Sequence, residues 1–347
     1  PPLPAAPPAP TAVVPRAELS TTAVSAPDMP PVDVAQPFHE WKQAFAAYAV
    51  AQGVRPETVT AAFAGLASSD TVLELDRRQF NRKAVFAAYY ARHMSTARTR
   101  QGRRLMENLR GSLENIEKQH GISPEILIAL FGIETNFGQL VGKTPVIRSL
   151  ATLAHDGRRA ALFQGELLAA LQLLDRGMIA PEALNGSWAG ASGLMQFMPS
   201  NIVSYAIDQD GDGKIDVWRD PVDALGSAAN YLKQSGWLPG QGWLVEVLPP
   251  PGFDVATVSG VDAPVECSKA LARHSRAMPI EAWRSLGFQL AGDGAWPVTD
   301  TATTLIQPDG PAGRSFLALP NYRVLLRYNC SNFYALTVGL LAHELAA

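Results

Sequence analysis

The stretch that decides the fold is SPEILIALFGIETNFG, residues 123–138. Ser123 and Pro124 are typical of a helix start, because serine caps free backbone amides and proline has no amide hydrogen to leave unpaired. Apolar side chains then follow at helical spacing, and a glycine ends the pattern. The stretch therefore predicts a largely apolar helix that carries one acidic side chain, Glu134, in its last turn.

Helical periodicity continues on both sides of this stretch. Phe38, Trp41, Phe45 and Tyr48 share one face of a predicted helix. Further helices are predicted at 57–66, 98–119, 158–175 and 221–235, and from about Asn332 to the end of the sequence.

The texture changes after Trp237, where the chain becomes rich in proline and glycine. Short β-leaning runs are predicted at 243–248, 254–259, 303–306 and 322–328. The predicted fold class is α+β, mainly α. Five segments are expected: a disordered proline- and alanine-rich tether at 1–37, a helical domain at 38–122, a core at 123–238, a small β-containing domain at 239–320, and a C-terminal segment at 321–347 that returns to the core or the helical domain.

Composition and charge exclude several classes of protein. The 347 residues carry a net charge of −3 without a run of five or six like charges, whereas a nucleic-acid or anionic-membrane binder shows a basic face. No apolar stretch reaches the about 18 residues that a membrane span needs. Residues 1–37 lack the charged and apolar regions of a signal peptide, so an already processed chain is expected. They also lack the apolar side chains that would offset the entropy of ordering.

The two cysteines, Cys267 and Cys330, stand in no metal-binding spacing. In an oxidising compartment they can form a disulfide. The sequence alone leaves open whether they form a bridge or stay two thiols.

Glu134 is the candidate catalytic residue. Ile133 and Phe137 flank it, so desolvation is expected to raise its pKa and keep the carboxyl group protonated near neutral pH. A protonated carboxyl group is what a glycosidic oxygen requires from a general acid. The alternative is a glutamate at a helix end that only pairs with an arginine.

A second motif, NGSWAGASGLMQFMPS, covers residues 185–200. Its small residues allow a ligand to approach the backbone closely, and Ser187 and Gln196 supply polar groups. The alternative is a glycine-rich loop that serves helix packing.

These motifs resemble those of the lytic murein transglycosylase B family, in which the glutamate run continues to a Gly-Lys-Thr sequence. Here that continuation is Gly142-Lys143-Thr144, followed by Leu150-Ala151-Thr152-Leu153-Ala154. The resemblance runs from about Phe38 to the C-terminus. It implies a lysozyme-like catalytic core with a helical domain and a small β-containing domain.

The resemblance also implies a reaction, that of a carbon–oxygen lyase. Glu134 would protonate the β-1,4 linkage between N-acetylmuramic acid and N-acetylglucosamine, and then act as base while the muramoyl C6 hydroxyl attacks C1. The product is a 1,6-anhydromuramic end. Ordinary glycosidases use two carboxylates, but no second acid stands beside Glu134, and the nearest downstream acids, Asp156 and Glu166, have a structural character.

Substrate-binding roles are implied for seven further residues. Ser187 would hydrogen-bond and orient Glu134, and Gln196 would contact the sugar. The cleft would be lined by Tyr231, Tyr328, Asn329, Tyr334 and, with an uncertain register beside Tyr90, Tyr89. Aromatic rings suit the apolar faces of sugars, although core packing is the alternative for each tyrosine. Some family members carry Met or Leu at the position of Ser192 and Gly at the position of Met195. These differences affect the cleft wall, and therefore the preference of the sugar subsites, but not the catalytic acid.

A third motif, DQDGDGKID at 208–216, has the spacing of an EF-hand calcium loop. Asp208, Asp210 and Asp212 occupy the first three ligand positions, and Lys214 would contribute its backbone carbonyl. Arg219 stands where an EF-hand has its last glutamate. The resemblance implies Asp223 as the last ligand instead, and a structural Ca²⁺. The alternative is an acidic turn without a tightly bound ion, and no organic cofactor is expected.

Three functions are therefore weighed: a lytic transglycosylase, a hydrolytic muramidase on the same fold, and a non-catalytic protein that binds cell-wall glycan. Peptidoglycan strands are the expected partner, with cell-wall synthesis or amidase proteins as further options. Nucleic acid is not expected as a partner. The protein is expected to be a monomer. The resemblance implies a periplasmic protein, and the tether leaves an outer-membrane lipoprotein open.

Overall fold

The computed structural model describes residues 35–79, 85–260 and 266–347. Most of the predicted tether, residues 1–34, lies outside this described part. No helix in the described residues is both long and apolar enough to cross a membrane.

Helices make up most of the described chain. In chain order they are α1 Phe38–Ala51, α2 Pro56–Phe63, α3 Asp70–Gln79, α4 Phe86–His93, α5 Thr96–Asn108, α6 Arg110–His120, α7 Pro124–Thr135, α8 Val146–His155, α9 Ala160–Asp175, α10 Pro199–Tyr205, α11 Pro221–Gln234, α12 Ser268–Leu271, α13 Ile280–Ser285, α14 Tyr322–Tyr328 and α15 Asn332–Ala346. A short 3₁₀ helix covers Val255–Val258.

Helix α7 lies at the centre of the largest apolar core. Every side chain from Ile126 to Phe131 is at most 2% exposed, as expected for a helix that is apolar on all of its faces. Helices α5, α6, α11 and α15 pack around it. A second apolar core forms among α1, α2, α8 and α9, around Trp41 and Phe45.

The described residues also form six short strands: β1 Thr144–Pro145, β2 Asn185–Gly186, β3 Leu244–Leu248, β4 Gln289–Leu290, β5 Thr304–Ile306 and β6 Ser315–Ala318. Strands β1 and β2 pair with each other. The other four form an antiparallel sheet in the order β4-β3-β6-β5, with Val245 opposite Leu317 and Leu317 opposite Leu305. A small core containing Trp283 packs in this region.

Three sequence predictions of secondary structure were wrong. Residues 322–328 form helix α14 rather than a strand, because Tyr322, Leu325 and Leu326 are buried at helical spacing, which a short apolar run does not distinguish from a strand. Residues 254–259 contain the 3₁₀ helix, whose N-terminus is capped by the Asp254 side chain. The helix predicted at 98–119 is broken into α5 and α6 at Leu109, whose φ of −103° and ψ of 14° depart from helical geometry.

A disulfide joins Cys267 and Cys330, so the structure favours the bridge over two free thiols. It links the residue before α12 to the short connection between α14 and α15. This connection separates Tyr328 from Tyr334, so the bridge lies close in sequence to both.

Candidate active site

Glu134 lies in the last turn of α7, where the chain reverses sharply. Asn136, Phe137 and Gly138 all have left-handed backbone conformations, with φ of 50°, 58° and 84°. A phenylalanine adopts this conformation only where its surroundings impose it. The Phe137 ring packs against Gly132, where an added Cβ would lie 2.9 Å from a ring carbon. This turn therefore fixes the direction in which Glu134 leaves the helix.

Thr135 ties the same turn to the glycine-rich segment 185–200. Its buried hydroxyl donates a hydrogen bond to the carbonyl oxygen of Leu194 at 2.8 Å and accepts one from the amide of Gly138 at 3.0 Å. The two motifs that the sequence singled out are thus in direct contact. Thr135 itself was missed as a site residue, although it directly follows the glutamate.

The Glu134 carboxyl group is enclosed by protein while the residue keeps partial exposure to solvent. Burial raises its pKa from 4.5 to about 7, against the opposing effect of a hydrogen bond from Tyr334. That bond joins the Tyr334 hydroxyl to Oε1 of Glu134 at 2.5 Å. No ion pair among the described residues includes Glu134. The geometry favours a general acid over a glutamate paired with an arginine.

Three of the predicted tyrosines form a continuous aromatic wall beside Glu134. The rings of Tyr334 and Tyr328 are nearly parallel, with centroids 6.4 Å apart, and Tyr231 meets Tyr328 edge to face at 5.3 Å. The Tyr328 hydroxyl donates to the carbonyl oxygen of Met195 at 2.7 Å. Burial, and then the charge of Glu134, raises the pKa of Tyr328 and of Tyr334 well above the ordinary value. Both hydroxyls therefore stay protonated and act as donors.

Tyr89 rather than Tyr90 faces the site. The pKa of Tyr89 is raised by burial and by the negative charge of Glu134, and its ring stacks on His93 with centroids 4.1 Å apart. Tyr90 instead donates to a carboxylate oxygen of Glu344 at 3.4 Å. The structure thus favours Tyr89 over Tyr90 at the site, and the substrate-binding role of Tyr89 stays a prediction.

The predicted hydrogen bond between Ser187 and Glu134 is not observed. The Ser187 Oγ accepts from the amide of Ala191 at 3.1 Å, and its own amide donates to the Ala191 carbonyl at 2.7 Å. Ser187 therefore closes a tight loop, which Gly186 permits because an added Cβ would lie 2.0 Å from the Ala191 carbonyl oxygen. Its role as a substrate-binding residue stays a prediction.

Gln196 and Asn329 present polar groups in different ways. Gln196 has a left-handed φ of 49°, and its Nε2 donates to the carbonyl oxygens of Val141 at 3.1 Å and Gly193 at 3.0 Å. Both amide hydrogens are thereby used, and its Oε1 is left as an acceptor for a ligand. Asn329 ends α14 with an exposed side chain.

A buried polar network that the sequence analysis missed holds the start of α15. His274 contacts Thr304 Oγ1 through Nδ1 at 2.8 Å and Asn332 Oδ1 through Nε2 at 2.9 Å. Burial lowers the pKa of His274 to about 4, so the ring is neutral. The Tyr322 hydroxyl also reaches Asn332. The network fixes Asn332 two residues before Tyr334, the hydroxyl partner of Glu134.

The acidic loop after α10 brings three of the five predicted calcium ligands together. Asp208, Asp210 and Asp212 each offer a carboxylate oxygen, all within 4.8 Å of one another. The buried carboxylate of Asp223 lies outside that trio, since its two oxygens accept from the amides of Gln209 at 2.7 Å and Asp216 at 2.8 Å. Asp223 thus clamps the two ends of the loop, and its role as the last metal ligand stays a prediction.

The trio has the donor chemistry of a Ca²⁺ site. The amide of Asp212 lowers the pKa of Asp210, but desolvation and the neighbouring carboxylates outweigh it, and the net pKa is raised. A hard divalent cation would relieve this repulsion, and oxygen ligands are what Ca²⁺ prefers. Lys214 is exposed in the same loop, where its backbone carbonyl was predicted as a ligand.

Comparison with known proteins yields a consistent group of relatives. A family model described as the transglycosylase SLT domain matches residues 37–343. The membrane-bound lytic murein transglycosylase B of Escherichia coli (strain K12) is 36% identical over 233 residues. The aligned region is 65% of this chain but only 58% of that relative, so it spans less than two thirds of the relative's length.

Two crystal structures illustrate the structural likeness. SltB3 from Pseudomonas aeruginosa, in complex with NAG-NAM-pentapeptide, has a TM-score of 0.80 and 38% identity, covering 90% of this chain and 80% of that one. The Escherichia coli lytic transglycosylase Slt35, in complex with calcium, has a TM-score of 0.73 and 30% identity, covering 88% and 92%. The expected α+β, mainly α, lysozyme-like fold is confirmed.

Proposed function

The chain belongs to the transglycosylase SLT domain family, and from that membership we propose that it is a lytic transglycosylase that acts on the glycan strands of peptidoglycan. The observation that carries the proposal is the Glu134 carboxyl group, which burial holds at a pKa of about 7 beside a wall of tyrosines. A carboxyl group with this pKa serves both as acid and as base near neutral pH.

In the first step, Glu134 gives its proton to the oxygen that bridges muramoyl C1 and the next N-acetylglucosamine. The C1–oxygen bond breaks and the N-acetylglucosamine leaves with a hydroxyl group. In the second step, the muramoyl C6 oxygen bonds to C1, and its proton returns to Glu134. Atoms balance without water, and the carboxyl group is restored.

Tyr334 supports both roles of Glu134. Its hydroxyl donates to Oε1 and so stabilises the carboxylate after the proton has left. The raised pKa of Tyr334 keeps this donor protonated throughout. The parallel ring of Tyr328, with Tyr231 behind it, offers an apolar surface on which a sugar ring can lie.

The distribution of carboxylates supports an intramolecular nucleophile over a hydrolytic water. Asp156 forms ion pairs with Arg77 and Arg158. Glu166 is buried and accepts two hydrogen bonds from Ser200. Both acids are thus engaged structurally, and neither is a partner of Glu134. A hydrolytic muramidase would need a second carboxylate to activate water, and a merely glycan-binding protein would have no use for a buried acid.

We further propose that Asp208, Asp210, Asp212, the Lys214 carbonyl and Asp223 hold a structural Ca²⁺, with Asp223 also bracing the loop through its amide hydrogen bonds. The related Slt35 was crystallised in complex with calcium, which supports the proposal. When bound, the ion would neutralise the clustered carboxylates and stiffen the segment that leads into α11. No step of the reaction depends on it.

The remaining proposals concern location and partners. The Escherichia coli relative is described as membrane-bound, and we propose a periplasmic protein in which residues 1–37 serve as a tether, with lipid attachment as one way to anchor it. Peptidoglycan strands are the proposed substrate, and a monomer the proposed state. Cell-wall synthesis or amidase proteins are proposed as further partners.

The decisive experiment is mass spectrometry of fragments released from purified peptidoglycan. The wild type should release fragments lighter by one water than those of a muramidase. Glu134→Gln should release none while still binding glycan. Glu125→Gln makes the same chemical change in the first turn of α7 and should stay active. Fragments with reducing ends, or full activity of Glu134→Gln, would refute the proposal.

A further inference from the structure

A cavity of about 330 Å³ lies beside the candidate active site, and the reaction above makes no use of it. Four parts of the chain line it. They are the segment after α7 (Val141, Gly142 and Lys143), the connection from α9 into β2 (Ile179, Ala183 and Asn185), Gly193 in the glycine-rich segment, and Trp218 with Arg219 before α11.

The cavity and the active site share one wall, the turn at 193–196. The Gln196 side chain bonds the carbonyl oxygens of Val141 and Gly193, and both of these residues line the cavity. The carbonyl of Met195, in the same turn, accepts from Tyr328 on the active-site side. Only the turn at 193–196 would therefore separate a ligand in the cavity from Tyr328 in the tyrosine wall.

Two cationic side chains line the cavity without a counter-ion. Lys143 and Arg219 are both exposed, and neither forms an ion pair with any residue that the structure describes. Two acids lie close to Arg219 along the chain, and backbone amides bind both. Asp220 accepts from the amides of Val222 at 2.6 Å and Asp223 at 3.2 Å, and the other acid is Asp216. Its Oδ1 already accepts from the amides of Trp218 at 3.0 Å and Arg219 at 2.9 Å.

The backbone at both cations is held firmly. Gly142 has a φ of 86°, and an added Cβ there would lie 2.2 Å from the Gly186 carbonyl oxygen, so the residue before Lys143 is locked against the glycine-rich segment. Thr144, after it, pairs with Gly186 in the β1–β2 ladder. Arg219 occupies the position of the last EF-hand glutamate. The hydrogen bond from its backbone amide to Asp216 holds its backbone in place.

Trp218 contributes an aromatic side chain to the lining of the cavity. Its indole Nε1 donates to Ser192 Oγ at 3.2 Å, which holds the ring in one orientation. The cavity therefore combines paired positive charge with an aromatic surface. This combination suits a carboxylate carried on a peptide, since a neutral sugar gains nothing from two cations.

We propose that this cavity binds a carboxylate of the peptide stem attached to the muramic acid of the substrate. The inference rests on the proposed function, because in peptidoglycan the stem is where the carboxylates lie. It gives roles to the Lys143 of the Gly-Lys-Thr motif and to Arg219, which the reaction itself leaves without one.

The test compares two ligands on the full chain in the Glu134→Gln background, by titration calorimetry. One ligand is the N-acetylglucosaminyl-N-acetylmuramoyl pentapeptide, and the other is the same disaccharide without peptide. Lys143→Gln/Arg219→Gln should weaken binding of the peptide-bearing ligand roughly tenfold. The loss for the bare disaccharide should be several-fold smaller. Added salt should shrink the difference between the two ligands.

Lys118→Gln/Arg276→Gln is the matched control, because it also removes two exposed cations but leaves the cavity intact. It should weaken neither ligand, and far-ultraviolet circular dichroism of each variant verifies folding. Equal losses for both ligands, no loss for either, or failure of the parent to bind the peptide-bearing ligand would overturn the inference. If the variant lost affinity only for the peptide-bearing ligand, but the wild type released no anhydro products, the proposed function would be refuted and the binding inference would stand.

Discussion

Glu134→Gln is expected to stabilise the protein while it destroys the activity. The folded state raises the pKa of this carboxyl group from 4.5 to about 7, so it binds the proton more tightly than the unfolded chain does. The free energy of unfolding is therefore highest below pH 4.5, the pKa of this group in the unfolded chain, and falls as pH rises from 4.5 towards 7. At 1.36 kcal/mol for each pKa unit, the ionised group costs about 3 kcal/mol above pH 7.

Glutamine removes this charge and keeps an oxygen that can accept from Tyr334. Thermal and urea unfolding of wild type and variant at pH 5 and pH 8 would measure the effect. The variant should be more stable by about 3 kcal/mol at pH 8, a rise in Tm of roughly 5 °C or more, and by much less at pH 5. Glu125→Gln, at the other end of α7, should not reproduce this pH dependence. If the Glu134 variant were no more stable than wild type at pH 8, the argument that burial penalises the carboxylate would fail.

Three further predictions concern the hydrogen bond, the metal and the disulfide. The rate of the wild type should fall as pH rises through about 7, because the acid form of Glu134 is lost. Tyr334→Phe removes a bond that lowers this pKa, so the falling limb should move to higher pH at a reduced maximal rate, and an unmoved limb in the pH–rate profile would contradict this. Chelation of Ca²⁺ should lower the Tm more than the initial rate at low temperature, and Asp210→Asn should remove the response. A Tm insensitive to chelator and calcium would indicate an acidic turn instead. Reduction of Cys267–Cys330, which spans 63 residues, should cost up to about 4 kcal/mol of unfolding free energy in denaturant titrations; unchanged stability would show that the bridge constrains little.

The sequence predicted those parts of the site that depend on local pattern. The apolar run before Glu134 fixed both the burial of α7 and the direction of the pKa shift, because a helix without a polar face must lie inside the core. The acidic spacing at 208–212 likewise placed three carboxylates within reach of one another.

The parts it could not predict depend on which segments meet in space. Ser187 exchanges hydrogen bonds with the backbone of Ala191, since the glycine-rich loop closes on itself. Asp223 accepts hydrogen bonds from the backbone amides of Gln209 and Asp216, contacts that no linear pattern reveals. Residues 322–328 are equally apolar as strand or helix, and only their packing decides. The network of His274 and Asn332 joins residues 58 positions apart, so neither residue draws attention alone.

The bond between Glu134 and Tyr334 joins residues 200 positions apart, and this separation bears on the order of folding. Contacts so distant along the chain form late, because the entropy of closing the intervening loop must be overcome first. Until α15 has docked against α7, the acid lacks the hydroxyl that steadies its carboxylate. The pair of Glu134 and Tyr334 is therefore completed only by this long-range contact, so the pKa that the bond sets belongs to the fully docked chain.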